Sequence, residues 1–242
     1  MILLPLVLLP LFASCATRIN GALLSNGQAD LNIATSLEPN LSGLIRDLAA
    51  ASGNQQPNAP LLNGPAINAS MSTAPGVASV AFVNRTPSAI EGPIRISRLG
   101  DFLARGMAGN AANSNARGFI SFEQGNASQG GRCTINLSRD AGPQILGLIS
   151  TEISEYLEAL MAPIATGEVL TKAEYLALVS SVYRRDIADE IARAVIRASI
   201  DFPGLVQSAR GGTFSGRRVE FAIPLLDVLV LETPLSYEVI WR

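Results

Sequence analysis

Chemistry in this chain has to be sought among carboxylates, guanidinium groups, one amine and two thiols, because none of its 242 residues is histidine. That absence removes Ser-His-Asp and Cys-His nucleophilic sites, histidine-ligated metals and histidine pH switches together. Glu152, Glu155 and Glu158 recur at three-residue spacing, which on a helix places them along one broad side. Carboxylates so placed suit acid–base or cation work. They equally suit a solvated face, since an apolar stripe lies opposite and no ligand partners accompany them. Asp227 sits within Pro-Leu-Leu-Asp-Val-Leu-Val-Leu and needs an arginine partner, a proton or an exposed strand face. Lys172 is the only lysine. No glycine-rich phosphate loop, Cys/His cluster, G-x-S-x-G elbow or Ser-x-x-Lys occurs. The expectation is a non-catalytic protein with no cofactor and no metal, a carboxylate-dependent enzyme being the remaining alternative.

The first thiol has a different context. Met1 to Ser14, MILLPLVLLPLFAS, is apolar throughout and closes on small residues. It is too short to span a bilayer as a helix, where about 20 residues are needed, and suits the apolar region of a signal peptide. Leu11-Phe12-Ala13-Ser14-Cys15 resembles the lipobox of bacterial lipoproteins, in which small residues precede the cysteine that becomes diacylated. Phe12 stands where that pattern usually has Leu, and no Lys or Arg precedes the apolar run. The resemblance covers the leader alone. It implies a signal peptide over 1–14 and a mature chain beginning at Cys15. Acyl chains on Cys15 would then hold the chain to the lipid bilayer of a bacterial cell envelope, with the folded part in the periplasm. Cys133 is then the one remaining thiol, so no intramolecular disulfide is available. It falls at a small-residue position in a strand and reads as a buried, inert thiol.

Charged residues make up 16% of the chain and mean hydropathy is +0.30. Such an apolar balance suits a ligand cavity or a membrane or partner surface, although the leader and the many alanines supply much of it. Eighteen basic residues against 20 acidic give a net charge of −2 without a single-sign run, which argues against a nucleic-acid partner. Arg184, Arg185, Asp186, Asp189, Glu190, Arg193 and Arg197 read as a mixed-charge surface with Asp189 and Arg193 at ion-pair spacing. Asn-x-Ser/Thr triplets at Asn40, Asn68, Asn84, Asn126 and Asn136 read as chance in an Asn- and Ser-rich chain.

The elements that must position these groups show an internal repeat. Gly27 to Ile45 aligns without a gap to Gly131 to Ile149, sharing Asn32/Asn136, Pro39/Pro143, Gly43/Gly147, Leu44/Leu148 and Ile45/Ile149. Ile67 to Gly76 pairs with Ile196 to Gly204, and both read as the last turns of a helix stopped by Pro-Gly. In chain order the first copy gives a hairpin around Ser25-Asn26-Gly27, a helix from Pro39, a short helix ending near Thr73, and a hairpin of Val77–Val83 with Ile90–Ile96. The second gives a hairpin of Phe119–Glu123 with Cys133–Ser138, a long helix from Pro143, and a helix from the Thr171–Glu174 capping box to about Ser199. Val219 to Leu231 follows, read as an edge or bent strand because of Pro224. A last strand from Leu235 to Trp241 puts Tyr237, Val239 and Trp241 on one face.

The expected class is α+β: internally duplicated hairpin–helix–helix–hairpin units, antiparallel sheet packed on helices. The expected organisation is a signal peptide (1–14), a first repeat unit (15–105), a linker or mobile loop (106–118) and a second, enlarged unit (119–242). Functionally this suits an envelope lipoprotein that binds a lipid or other apolar ligand where the halves meet. The alternative is a structural lipoprotein that docks an envelope protein.

Overall fold

The computed structural model of the protein describes residues 15–51, 59–106, 120–125, 130–139, 163 and 167–242. The leader, residues 107–118, the helix expected from Pro143 and the three glutamates lie outside the described residues.

Strands β1 (Cys15–Leu23) and β2 (Ala29–Leu37) form the expected hairpin. Gly27 takes φ +78° at its turn, a conformation open to glycine without strain, and Asn26 Oδ1 accepts from Gln28 N at 3.1 Å. Period-two patterning sends Thr17, Ile19 and Leu23 to one face together with Ala29, Ile33 and Thr35. Helix α1 (Pro39–Ala51) follows, then α2 (Gly64–Met71), whose N-cap Asn63 accepts from Ala66 N at 3.1 Å.

The strand expected from Val77 to Val83 is instead split into β3 (Val77–Val80) and β4 (Val83–Thr86), both lying on β5 (Ala89–Ile96). Its cause is long-range. Asn68 on α2 donates to Phe82 O at 2.9 Å and accepts from Phe82 N at 2.7 Å. Those two bonds occupy the groups Phe82 would give to the ladder, while its ring is buried. After α3 (Leu99–Gly106), strands β6 (Ile120–Glu123) and β7 (Gly131–Leu137) make the expected second hairpin.

The capping box is present: Glu174 Oε2 accepts from Thr171 N at 2.8 Å and Thr171 Oγ1 accepts from Glu174 N at 3.2 Å. The helix it opens does not reach Ser199. Helix α4 (Lys172–Val182) ends, Arg184 turns extended, α5 (Arg185–Arg193) follows, and the chain then becomes strand β8 (Val195–Asp201). The stretch beginning at Ile196 is therefore a strand where its proposed counterpart from Ile67 is helix. Its pattern explains this, since Ile196, Ala198 and Ile200 alternate with Arg197, Ser199 and Asp201, a period of two that tertiary pairing on both sides completes.

Strands β9 (Val206–Arg210), β10 (Thr213–Ser215) and β11 (Arg218–Pro224) come next. Val219 to Leu231 is not a single strand either. Pro224 closes β11 and caps helix α6 (Leu225–Val230), which suits a residue with no N–H to donate and a fixed φ. Strand β12 (Leu235–Trp241) ends the fold, with Tyr237, Val239 and Trp241 sharing the buried face as expected.

The class is α+β. The large sheet runs β10-β11-β8-β1-β2-β5-β3, with β4 also on β5; β1 and β8 pair in parallel and the other pairs are antiparallel. The small sheet runs β6-β7-β12-β9, all antiparallel. The segments β1-β2-β5-β3 and β6-β7-β12-β9 thus have the same strand order and sense. One core joins the helices to the inner faces of both sheets, with Ile33, Ile94, Tyr175, Ile191, Leu225 and Trp241 among its members.

Candidate functional site

Thr17 and Ile19 on β1 point into the core, so Arg18 and Asn20 must point out; the same parity puts Arg197 and Ser199 outward from β8. The parallel register sets Arg18 opposite Arg197 and Asn20 opposite Ser199. Two guanidinium groups therefore rise side by side from adjacent strands, which lie about 5 Å apart. Both arginines are exposed, and among the described residues neither has a hydrogen-bond or ion-pair partner. On the same face Arg95 binds Asp30 at 2.7 Å and Arg218 binds Asp201 at 2.8 Å. The seam between β1 and β8 is where positive charge is left over.

Arg18 and Arg197 line an open cleft of about 590 Å³ with Asn20, Ser199, Thr213 and Glu220. Its far wall is the Gly211-Gly212 turn between β9 and β10. A smaller cleft of about 220 Å³ lies toward the start of β1, between Ala16, Glu38, Arg193 and Val195, and Arg197 borders both. Guanidinium pairs with nearby hydroxyl and amide groups bind phosphate or carboxylate by charge-assisted hydrogen bonds.

Glu190, expected on a charged surface, is only 6% exposed and does structural work. Its carboxylate accepts from Asn40 N at 3.1 Å, Asn40 Nδ2 at 2.7 Å and Leu41 N at 2.9 Å, capping α1 from across the core. That arrangement places negative charge at the positive end of the helix. Arg197 belongs to a strand and not to that surface. Asp189 and Arg193 form no ion pair; in this region Arg184 binds Asp186 at 3.2 Å instead.

Asp227 finds the lone lysine, not an arginine: Lys172 Nζ binds its Oδ1 at 2.9 Å, and Lys172 N donates to Glu232 at 3.1 Å. The hydrogen bond with Asp227 raises the Lys172 amine above its ordinary range. Asp227 borders neither cleft. Cys133 faces the core from β7, where burial pushes its thiol up to about 12, so it carries almost no thiolate at neutral pH. Among the described residues no three Cys, Asp or Glu side chains gather as a metal site. Four of the triplet asparagines serve the fold: Asn68 clamps Phe82, Asn40 binds Glu190, Asn84 bonds Gly64 N and Leu62 O, and Asn136 accepts from Ser236 at 2.7 Å.

Cys15, the candidate lipidation residue, is the first residue of β1 and pairs with Leu37. The arginine pair was missed in sequence because its two members lie on strands far apart in the chain, one of which read as helix. The alternation of β8 was the signal that could have found it.

No protein-family model and no curated protein matches the chain. Among solved structures, the folded domain of LppM from Mycobacterium tuberculosis is similar at a TM-score of 0.41 and 10% identity, over 94% of this chain and 90% of that one.

Proposed function

We propose that this chain is a bacterial cell-envelope lipoprotein, held to a membrane through acylated Cys15, whose folded part binds and does not catalyse. The carrying observation is the junction of leader and fold: the cysteine that ends the lipobox-like run is also the first residue of β1. No described helix is long and apolar enough to cross a membrane, which leaves attachment in this reading to the acyl chains.

The larger described cleft has a mixed lining, with the charged and polar groups of Arg18, Arg197, Asn20, Ser199, Thr213 and Glu220 beside Ala198, Phe221 and Ala222. That lining favours the polar part of an envelope amphiphile over a wholly apolar ligand held between halves. The pairing of Asp227 with Lys172 supports a structural role for that carboxylate. The common strand order of β1-β2-β5-β3 and β6-β7-β12-β9 supports reading the chain as a duplicated unit, with β8, β10, β11 and α6 added to the second copy.

A second reading, docking of an envelope protein, is favoured by Leu205 and Phe214, which are 60% and 47% exposed. Mass spectrometry of protein extracted from its native membrane tests the first. An acylated Cys15 at the N-terminus, with lipid co-purifying, is the expected result; an unmodified N-terminus overturns the anchor.

A further inference from the structure

We propose that Arg18 and Arg197 together grip the phosphate of anionic phospholipid headgroups, so that the domain rests on the membrane by the end of the large sheet where β1 begins. The inference builds on the reading of Cys15 as the acylated residue, and four observations carry it.

Position comes first. Arg18 is three residues along β1 from Cys15, and an extended strand advances about 3.3 Å per residue, so their Cα atoms lie about 10 Å apart. Cys15 is already paired to Leu37, and Thr17 to both Thr35 and Ile196. The anchor therefore has no slack that would lift the sheet away from the bilayer. Lipid chains attached at Cys15 would bring neighbouring phosphates to the level these side chains reach.

Charge comes second. Like charges directly opposite on adjacent strands are unfavourable. In a chain of net charge −2, every other charged residue of the middle rows of this face is either paired or acidic, yet among the described residues Arg18 and Arg197 stand together without an ion-pair partner. An external anion removes the repulsion. Glu220 borders the same cleft but makes no ion pair with either arginine, and Glu38 borders the smaller one.

Chemistry comes third. Asn20 and Ser199 are opposite each other one row further along the same face, and Thr213 stands beyond them. These groups offer neutral donors to phosphate oxygens or to the hydroxyls of a headgroup, while the guanidinium pair takes the charge. Fourth, Arg197 also borders the smaller cleft at the start of β8, where Arg193 stands with Glu38 and Glu190, and Glu190 is already engaged by the start of α1.

The test uses full-length protein extracted from membranes and reconstituted in vesicles of phosphatidylcholine alone or with phosphatidylglycerol added. Arginines are modified with phenylglyoxal and the digest is read by mass. Each basic side chain at an anionic surface is worth about fivefold in binding, so phosphatidylglycerol is expected to slow modification of Arg18 and Arg197 about fivefold or more. Arg95, held by Asp30 further from the anchor, is expected to react equally in both. Reconstituted Arg18→Gln is expected to lose most of the protection at Arg197. Equal reactivity in the two vesicle types overturns the proposal. Protection by inorganic phosphate in neutral vesicles to the same extent overturns the lipid source, leaving a site for a free phosphate. The Cys15 peptide in the same digest reports acylation, so a failed anchor and a failed arginine contact register separately.

Discussion

Glu190 shows how much one side chain can do for a helix it does not belong to. Helix α1 opens with Pro39, carries no acid in its first turn, and receives its cap from α5. Glu190→Ala leaves the N–H groups of Asn40 and Leu41 unpaired in a buried place. It is expected to cost about 2 kcal/mol in urea unfolding. Cys133 offers a second residue-scale test, with a sign. Below its ordinary value of 9.0 the thiol is protonated in both states; between there and about 12 the unfolded chain gives up a proton that the folded chain keeps. Stability from this group is thus complete below pH 9 and is lost as pH rises toward 12. Alkaline unfolding curves of Cys133→Ala should fall less steeply than those of the natural chain. A thiol reagent at pH 8 should label native protein slowly and urea-unfolded protein fast.

At the scale of elements, the bulge between β3 and β4 is held from two sides. Asn68 takes the backbone of Phe82 from above, and Gly92 lies beneath, where a Cβ would run into the backbone of Ala81 and Phe82. Gly92→Ala is expected to lower the urea midpoint by an amount equivalent to about 1–3 kcal/mol, the usual cost of forcing a methyl into a filled space. Asn68→Ala should also destabilise, and the two effects should fall short of additive because they act on one bulge. Local signals made several elements legible in the sequence: the Asn-Gly hairpin, the Pro39 helix, the Thr171 capping box and the alternation of Tyr237, Val239 and Trp241. What local pattern could not supply was partnership. The β3–β4 split depends on Asn68, the α1 cap on Glu190, and the strand identity of Val195–Asp201 on β1 and β11 beside it. The arginine pair was hidden for the same reason.

Over the whole molecule, the chain passes repeatedly between the two sheets, with β8 in the large one, β9 in the small one and β10 back in the large. Trp241, the single tryptophan, stacks on Phe122 at 5.6 Å and meets Phe202 at 5.1 Å, the residue that directly follows β8. Its fluorescence therefore reports from the place where the sheets are tied. Urea unfolding followed by that fluorescence and by far-ultraviolet circular dichroism is expected to give coincident transitions. An earlier fluorescence change would show the small sheet opening first.

The parallel pairing of β1 with β8 also dictates a timetable. Thr17 leaves the ribosome long before Ile196, the residue it pairs with across the parallel register. Until then the first hairpin has one open edge and the sheet cannot close. Such distant pairings fold slowly, because a long loop must be ordered before its contacts are gained. Under the proposed reading of the chain as an exported lipoprotein, that delay would keep the polypeptide threadable while it crosses the membrane. Refolding from urea should accordingly be slow, and a fragment ending before Val195 should show no cooperative unfolding transition.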